Sequence, residues 1–550
     1  MQTKLMMKPL RANGSFLCWV ILVAMSCALS CSSPVKTHTK KLLSLIPADT
    51  GYLFHFNVDA KSPLAKETAR VFKEQKSTLM KMDPKLQPLF NLYGSILEHI
   101  ERGDMDKLGL SDQFKIGLYG MWLWPVVIQE VNNRDRYIKW LSELSGSDIV
   151  PDPSSPNIYR FKDSAGAPFY PILGFSGDHI AQIALAHAET EAIIIPYLNG
   201  QKTHQRSLYD EGSVQRLAES VHIVGDTALF WIDIVRIYKM LTQPEGVHVK
   251  LRTAEIARDL ERSKAHDRHC EREMWGLLTK VQSVIGGNLK GLNMRVFLKL
   301  DTDLAAHLSK VTARDVSAVT PQDGLLGVSF AVNVKGVIDV AQAFIQETLD
   351  KPYQCRNLKR DLQPQALRQM QTQLAMLPPF ATDLQGVSVQ IYNAELNLAA
   401  PKVDAALIVS AKQAPKLIQI AQAFVPILAE LKVPEAGKGV QEISGLPLPM
   451  SLQPIYSQLE AHGLGIALGE RGKERLKRSL SAPQKGAAPL FRVSYNIDQI
   501  TKLFKDKIPA QIQQSIGMST PMSNHITIEL GFNKSGLMIE SRAEAQKTKK

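Results

Sequence analysis

The chain has 550 residues, of which 45% are hydrophobic and 21% are charged. This is the composition of a globular protein, and it excludes a disordered chain, a collagen-like repeat and a low-complexity sequence. At roughly 100 to 200 residues per domain the length predicts at least two domains, and the formal net charge of +12 is modest for a chain of this size.

An export signal opens the chain. Three basic residues, Lys4, Lys8 and Arg11, come first. The apolar run that follows them, residues 16–29, has the length of a signal peptide and is too short to span a bilayer as a helix. Residues 1–30 are therefore predicted to be removed, which takes away three basic residues and no acid and leaves a net charge of +9.

The signal ends at a cysteine with the surroundings of an acylation site. Ala28-Leu29-Ser30 precedes Cys31, and the arrangement resembles the lipobox of bacterial lipoproteins, in which the cysteine is acylated and becomes the mature N-terminus, although the lipobox usually has its aliphatic residue one position earlier. Cys27 is a second candidate, and ordinary cleavage without a lipid is the alternative. An aspartate after the cysteine would resemble an inner-membrane retention signal. Because Ser32 stands there, the resemblance implies an outer-membrane lipoprotein that faces the periplasm or the cell surface.

A polar linker, residues 31–44, leads to the first strand and helix. Residues 52–57 alternate like a β-strand, and Ser62-Pro63 then offers an N-cap and a first helical position. The opening of this unit, Ile-Pro-Ala-Asp-Thr at residues 46–50, resembles that of a group of uncharacterised envelope lipoproteins of proteobacteria. The resemblance implies an envelope protein and carries no known activity.

Strand patterns that turn into helix patterns recur along the chain. In several of them the change falls at an Asp or Asn, which can cap the helix that follows. These capping candidates are Asp233, Asn333 and Asn496. Two further pairs of strand–helix units begin near Trp122 and Ala405 and near Ile180 and Gly463.

In chain order these units form one series in residues 45–320 and the same series in residues 321–543. Each series closes on strand patterns, at residues 292–300 in the first and 526–540 in the second. The sequence therefore predicts an α+β protein of two similar tandem halves, each a mainly antiparallel β-sheet with packed helices. Chance recurrence of a common strand–helix pattern is the alternative. The tail, residues 544–550, is predicted to be disordered.

Two cysteines remain outside the signal, Cys270 and Cys355. They lie in two charged, helix-compatible stretches, residues 249–284 and 349–376. In an exported protein two remaining thiols most simply pair, so a disulfide between them is predicted, with two unpaired cysteines as the alternative. His266 lies one helical turn before Cys270, and the two could reach one metal ion. No other cluster supplies further ligands at motif spacing, so an exposed polar helix is the favoured interpretation.

No stretch of the sequence indicates a reaction. The nucleophile elbow, the zinc-binding His-Glu-x-x-His helix, the phosphate-binding loop and the paired Cys-x-x-Cys are all missing, so no catalytic residue, metal or cofactor is predicted. The first half is rich in aromatic residues, which are expected in its core and whose functional alternative is an apolar cavity. They are Trp122, Trp124, Phe169, Tyr170, Phe230 and Trp231.

The sequence accordingly predicts an exported, lipid-anchored envelope protein with a non-enzymatic binding or scaffold role. Two alternatives stay open: a carrier of a lipid or other apolar ligand in a cavity between sheet and helices, and a hydrolase-type enzyme without a recognisable motif. The expected partners are the membrane, through the N-terminal lipid, and other envelope proteins or an anionic envelope surface. Nucleic acid is not expected, because the basic residues are not interleaved with aromatic ones.

Overall fold

The computed structural model describes much of the chain beyond residue 41. The described residues are 42–63, 65–66, 68–70, 72–73, 87–121, 124–162, 169–223, 228–242, 268–288, 293–317, 324–395, 402–424, 433–443, 454–481, 484–504 and 525–544. Within them the protein is α+β, with a large antiparallel β-sheet and about 14 helices, which confirms the predicted class. The chain divides into two compact units between Lys299 and Leu300.

The first unit contains one sheet. Its strands are β1 (Tyr52–Asp59), β2 (Gln113–Met121), β3 (Trp124–Glu130), β4 (Ile149–Pro151), β5 (Ile158–Phe161), β6 (Tyr170–Phe175), β7 (Ile180–Ala186), β8 (Ala228–Asp233), β9 (Val281–Asn288) and β10 (Met294–Leu300). They are ordered β4-β5-β6-β7-β3-β2-β1-β8-β9-β10. Each neighbouring pair from β4 to β9 runs antiparallel.

Along the chain, the helices of the first unit alternate with these strands. They are α1 (Gln87–Arg102), α2 (Arg134–Ser145), α3 (Ala188–Leu198), α4 (Leu208–Glu211), α5 (Ser213–Ser220), α6 (Ile234–Thr242) and α7 (Arg268–Leu278). Local sequence explains where α2 begins and ends. The side chain of Asn133 accepts the N–H of Arg136 at 3.0 Å, and Gly146 takes the left-handed conformation that ends many helices.

Helices and the N-terminal segment cover both faces of the first sheet. On one face Tyr137 and Trp140 of α2 pack in a buried cluster with Phe114 of β2. On the other face Leu42 packs over Gly117, where a Cβ would lie 3.3 Å from the Leu42 side chain. Leu42 and Leu43 are buried although the sequence places them in the polar linker, so the folded part begins before residue 45.

The second unit contains a sheet of similar size and a two-stranded one. Its strands are β11 (Arg314–Val316), β12 (Leu326–Ala331), β13 (Leu384–Glu395), β14 (Lys402–Ala411), β15 (Gln441–Ile443), β16 (Ile455–Glu460), β17 (Gly463–Leu468), β18 (Gln484–Ala487), β19 (Phe491–Asn496), β20 (His525–Asn533) and β21 (Gly536–Glu544). The larger sheet has the order β15-β16-β17-β14-β13-β12-β19-β20-β21 and is antiparallel throughout. Strands β11 and β18 pair separately.

The helices of the second unit again cover two faces. They are α8 (Thr302–Ser309), α9 (Val334–Asp350), α10 (Arg356–Asp361), α11 (Pro364–Ala375), α12 (Ala414–Phe424), α13 (Gly469–Ser481) and α14 (Ile497–Phe504). On one face Ala414 of α12 packs with Leu459 and Leu464. On the other face Leu476 of α13 packs with Ile408 of β14.

The three capping candidates behave differently. Asp233 accepts the N–H of Arg236 at 2.8 Å, and Asn496 accepts the N–H of Gln499 at 3.0 Å, which confirms both as caps. Asn333 occupies the N-cap position of α9, but its side chain does not accept a helix N–H. Its amide donates instead to the carbonyl of Lys310 at 2.9 Å, so the predicted side-chain cap is wrong there.

Other sequence predictions can be compared with the described residues. The closing strand patterns correspond to β10 and to the β20–β21 hairpin, whose loop is held by Asn533 accepting the N–H of Gly536 at 2.9 Å. The stretch 249–284, predicted as helix-compatible, ends in strand β9, which begins at Val281. No helix of the described part is both long and apolar enough to cross a membrane.

Candidate functional site

The structure describes only some of the residues that the sequence singles out for acylation, disulfide bonding or metal binding. Cys31, Cys27 and His266 lie outside the described residues. Cys270 in α7 and Cys355 immediately before α10 are both disulfide-bonded, and their pairing with each other stays a prediction. A disulfide sulfur is not a thiolate ligand, so Cys270 cannot serve in the metal site considered with His266. Among the described residues, no group of three or more His, Cys, Asp or Glu side chains is placed to hold a metal ion.

The described aromatic residues of the first unit are spread over both faces of its sheet. Phe230 and Trp231 are neighbours in β8, and successive strand residues point to opposite faces of a sheet. Trp231 is buried, while Phe230 is half-buried. Trp124 and Phe169 pack on each other with ring centroids 5.5 Å apart. Trp122 lies outside the described residues.

The first unit contains a buried histidine. His55 of β1 is fully buried, and neither ring nitrogen has a hydrogen-bond partner among the residues that the structure describes. Burial and the nearby positive charge of Lys115 lower its pKa to about 4. Lys115 itself pairs with Glu130 at 3.1 Å. Sequence reasoning missed His55 because it stands as one polar residue within an otherwise ordinary strand alternation.

The face of the second sheet on which α13 packs also carries buried polar side chains. Alternation along the strands places these residues on the same side. They are Ser388, Gln390, Ser410, Gln458 and Ser494, all of them buried. At one end of this face Arg492 pairs with Glu529 at 2.8 Å across β19 and β20. These polar residues therefore occupy a buried side of the sheet, where apolar side chains such as valine and leucine are more usual.

The opposite face of the second sheet is apolar and partly open to solvent. Four of its large side chains are exposed, and we name them the apolar patch: Leu326, Phe330, Val389 and Leu407. Phe330 exposes 52% of its surface and Val389 exposes 46%. Such exposure is unusual for large apolar residues in the middle of a sheet, and a contiguous apolar surface commonly marks an interaction site.

The strand register makes the apolar patch continuous across three strands. Val389 of β13 lies opposite Leu407 of β14 on one side and Val328 of β12 on the other. Phe330 lies opposite Phe491 of β19, and their ring centroids are 4.9 Å apart. Side chains directly opposite each other in antiparallel strands are within contact distance.

The chemistry of the apolar patch is limited to burial. Aliphatic and phenyl groups supply no acid, base, nucleophile or metal ligand, so the patch can bind an apolar surface and cannot catalyse a reaction. Each square ångström of apolar surface removed from water contributes about 25 cal/mol, and a well-buried Phe or Leu about 1.5 to 3 kcal/mol. The patch is therefore a candidate binding site.

Comparisons of this chain with protein-family models, with curated proteins and with solved structures found no match.

Proposed function

We propose that this chain is an exported, lipid-anchored protein of the bacterial outer membrane that binds a partner and does not catalyse a reaction. The apolar patch of the second unit carries this proposal, because its side chains can bury the apolar surface of a partner and supply no reactive group. The proposed localisation rests on the export signal and Cys31, which resemble those of bacterial lipoproteins.

The same proposal includes an internal duplication, in which the two units are copies of one ancestral unit. Their strand orders support it. Reading outward from β1 in the first sheet gives β2, β3, β7, β6 and β5 on one side and β8, β9 and β10 on the other. Reading outward from β12 in the second sheet gives β13, β14, β17, β16 and β15 on one side and β19, β20 and β21 on the other.

The positions of the helices in the chain support the duplication as well. Helix α2 follows β3 and packs on the face that carries Phe114, and α12 follows β14 and packs on the face that carries Leu464. Helix α3 follows β7 and packs on the other face of its sheet, and α13 follows β17 and does the same in the second unit. Nine strands thus follow the same order in the two sheets, and these two pairs of helices cover corresponding faces.

Comparison of the two copies makes the apolar patch stand out. In the first unit the corresponding strands β1 and β2 carry Phe54, Phe56 and Leu118, and all three are buried. In the second unit the corresponding strands β12 and β13 carry Phe330 and Val389, which are exposed. We take this difference as the mark of a surface that a partner covers.

An apolar surface of another envelope protein fits the patch better than a single lipid does. The patch lies on the face of a sheet, and a sheet face is a broad surface of the kind that protein interfaces use for their apolar centre. A carrier of an acyl chain instead needs a cavity that encloses most of its ligand. The lipid carrier remains the second candidate, since the same apolar side chains would serve it.

Substitution of the patch tests the binding role. We expect the native lipoprotein, purified in mild detergent, to retain a bound species that the double variant Phe330→Ser/Val389→Ser loses. The matched control is Met274→Ser/Met376→Ser, since these methionines expose 45% and 74% of their surface and lie outside the patch. Native mass spectrometry of the three proteins gives the mass of whatever is bound.

The mass separates the candidates. A species of protein mass that is lost only from the patch variant supports the proposal. A species of lipid mass with the same behaviour favours the carrier. Equal composition of wild type, patch variant and control contradicts a binding role of the patch.

A further inference from the structure

The second unit contains a cavity that neither the fold nor the apolar patch explains. It has a volume of about 460 Å³. Its wall combines the segment from the end of α8 to the start of β11, the first turns of α9, Gln385 of β13 and Lys412 directly after β14. We name it the basic cavity. Its size falls within the usual range of small-molecule sites.

The charge of the basic cavity is strongly one-sided. Four cationic side chains and one carboxylate line it, an excess of three positive charges. The carboxylate of Asp339 pairs with Lys335 at 2.9 Å. The other cations, Lys310, Arg314 and Lys412, make no ion pair with any residue that the structure describes. Like charges brought to one cavity repel each other, so an anion bound among them would be favoured.

The start of α9 adds backbone N–H donors, which carry partial positive charge. Lys335 and Gly336 lie in its first turn and line the cavity. First-turn N–H groups have no acceptor within the helix, and the side chain of Asn333 does not accept one because its amide is turned toward Lys310. This helix start strengthens the attraction for an anion that the side chains already create.

We infer that the basic cavity binds the phosphate group of a small anionic ligand. Phosphate presents several acceptor oxygens and up to two negative charges. These match three cations that make no ion pair with a described residue, together with the N–H groups at the start of α9, better than a single carboxylate does. The cavity is much larger than phosphate alone, so the ligand carries the phosphate on a further group. A soluble phosphate ester and the headgroup of an anionic phospholipid share this chemistry. The inference does not depend on the role of the apolar patch.

Removal of charge from the cavity tests the inference on the full-length protein in detergent. The probes are glycerol 3-phosphate, followed by calorimetry, and vesicles of phosphatidylglycerol in phosphatidylcholine, followed by co-sedimentation. Arg314→Gln/Lys412→Gln should weaken binding of the responding probe by about tenfold or more at about 0.15 M salt. The matched control is Arg368→Gln/Lys402→Gln, which removes two exposed cations that do not line the cavity and should change binding by less than about twofold.

The two probes separate the two sources of the phosphate. Binding of glycerol 3-phosphate that the cavity variant weakens and the control variant leaves unchanged identifies a soluble phosphate ester, and binding of the vesicles alone identifies a lipid headgroup. The inference is overturned if neither probe binds, or if the cavity variant and the control variant bind equally well.

Discussion

Asp233 and Asn496 make the same contact in the two units: each accepts the backbone N–H of the residue three positions ahead, at 2.8 Å and 3.0 Å. Each ends a strand, β8 or β19, and begins the helix that follows it. These two strands also hold the same place in their sheets, beside β1 and β12 respectively. A turn of this kind satisfies an N–H group that the helix itself cannot satisfy.

The first prediction concerns these caps. Asp233→Ala and Asn496→Ala should each lower the free energy of unfolding by about 1 kcal/mol, because each leaves a helix N–H without its acceptor. Gln363→Ala is the comparison, since Gln363 is an exposed N-cap residue of α11 whose side chain accepts no helix N–H, and it should cost no more than about 0.5 kcal/mol. Urea unfolding measures all three. An equal loss in all three variants would contradict the assignment of Asp233 and Asn496 as functional caps.

The second prediction is that His55 makes stability depend on pH. The pKa of His55 is lowered in the folded protein from 6.5 to about 4, by burial first and by Lys115 second. The unfolded chain therefore binds a proton at higher pH than the folded chain does. The stabilising contribution of neutral His55 is complete above the unfolded pKa and is lost as the pH falls through the interval down to about 4.

The expected size of this loss is about 2 kcal/mol between about pH 7 and about pH 5. His55→Leu should remove that part of the pH dependence, as measured by urea unfolding at each pH. His307→Gln is the control, because His307 is an exposed histidine of α8. If His55→Leu and His307→Gln leave the same pH dependence as wild type, His55 does not titrate as described.

How far the sequence could predict this fold depended on the kind of pattern. The change from strand to helix at Asp233 and Asn496 depends on neighbouring residues only, so it could be predicted from the local sequence. The strand β13 has an equally clear alternation, with Val387, Val389 and Ile391 on one face and Ser388 between them. The alternation cannot say which face is buried, and the structure buries Ser388 while leaving Val389 exposed.

The candidate sites were beyond the sequence for a different reason. The apolar patch joins residues of β12, β13 and β14, and its openness depends on what the helices of the unit leave uncovered. The basic cavity joins Lys310, Lys335 and Lys412, which are far apart in the chain and form no motif. Residues brought together by tertiary structure alone leave no fixed spacing for a sequence pattern to detect.

The third prediction concerns the disulfide. The two cysteines outside the signal, Cys270 and Cys355, are both disulfide-bonded, and we expect them to be bonded to each other. Non-reducing peptide mapping of the exported protein should find a single linked pair of peptides that contains these two residues. Cys270→Ser should then leave Cys355 free to react with a thiol reagent. A linked peptide that joins either residue to a different cysteine would show that the pairing is wrong.

The fourth prediction concerns the anchor. Cys31→Ser should move the protein from the membrane fraction to the soluble fraction or stop its processing, because the acylated side chain is lost. Cys27→Ser is the matched control and should leave fractionation unchanged. Membrane association that survives Cys31→Ser and fails in Cys27→Ser would assign the lipid to Cys27 instead.

The fifth prediction tests the central claim, that the apolar patch is the surface by which the protein binds. A photoreactive amino acid is placed at Phe330 or, as the control, at Met376, and the full-length lipoprotein is crosslinked in living cells. We predict a discrete adduct of protein mass from position 330 that is absent from position 376, and that disappears when Val389→Ser is added. The same adducts from both positions, or no adduct from position 330, would contradict the account.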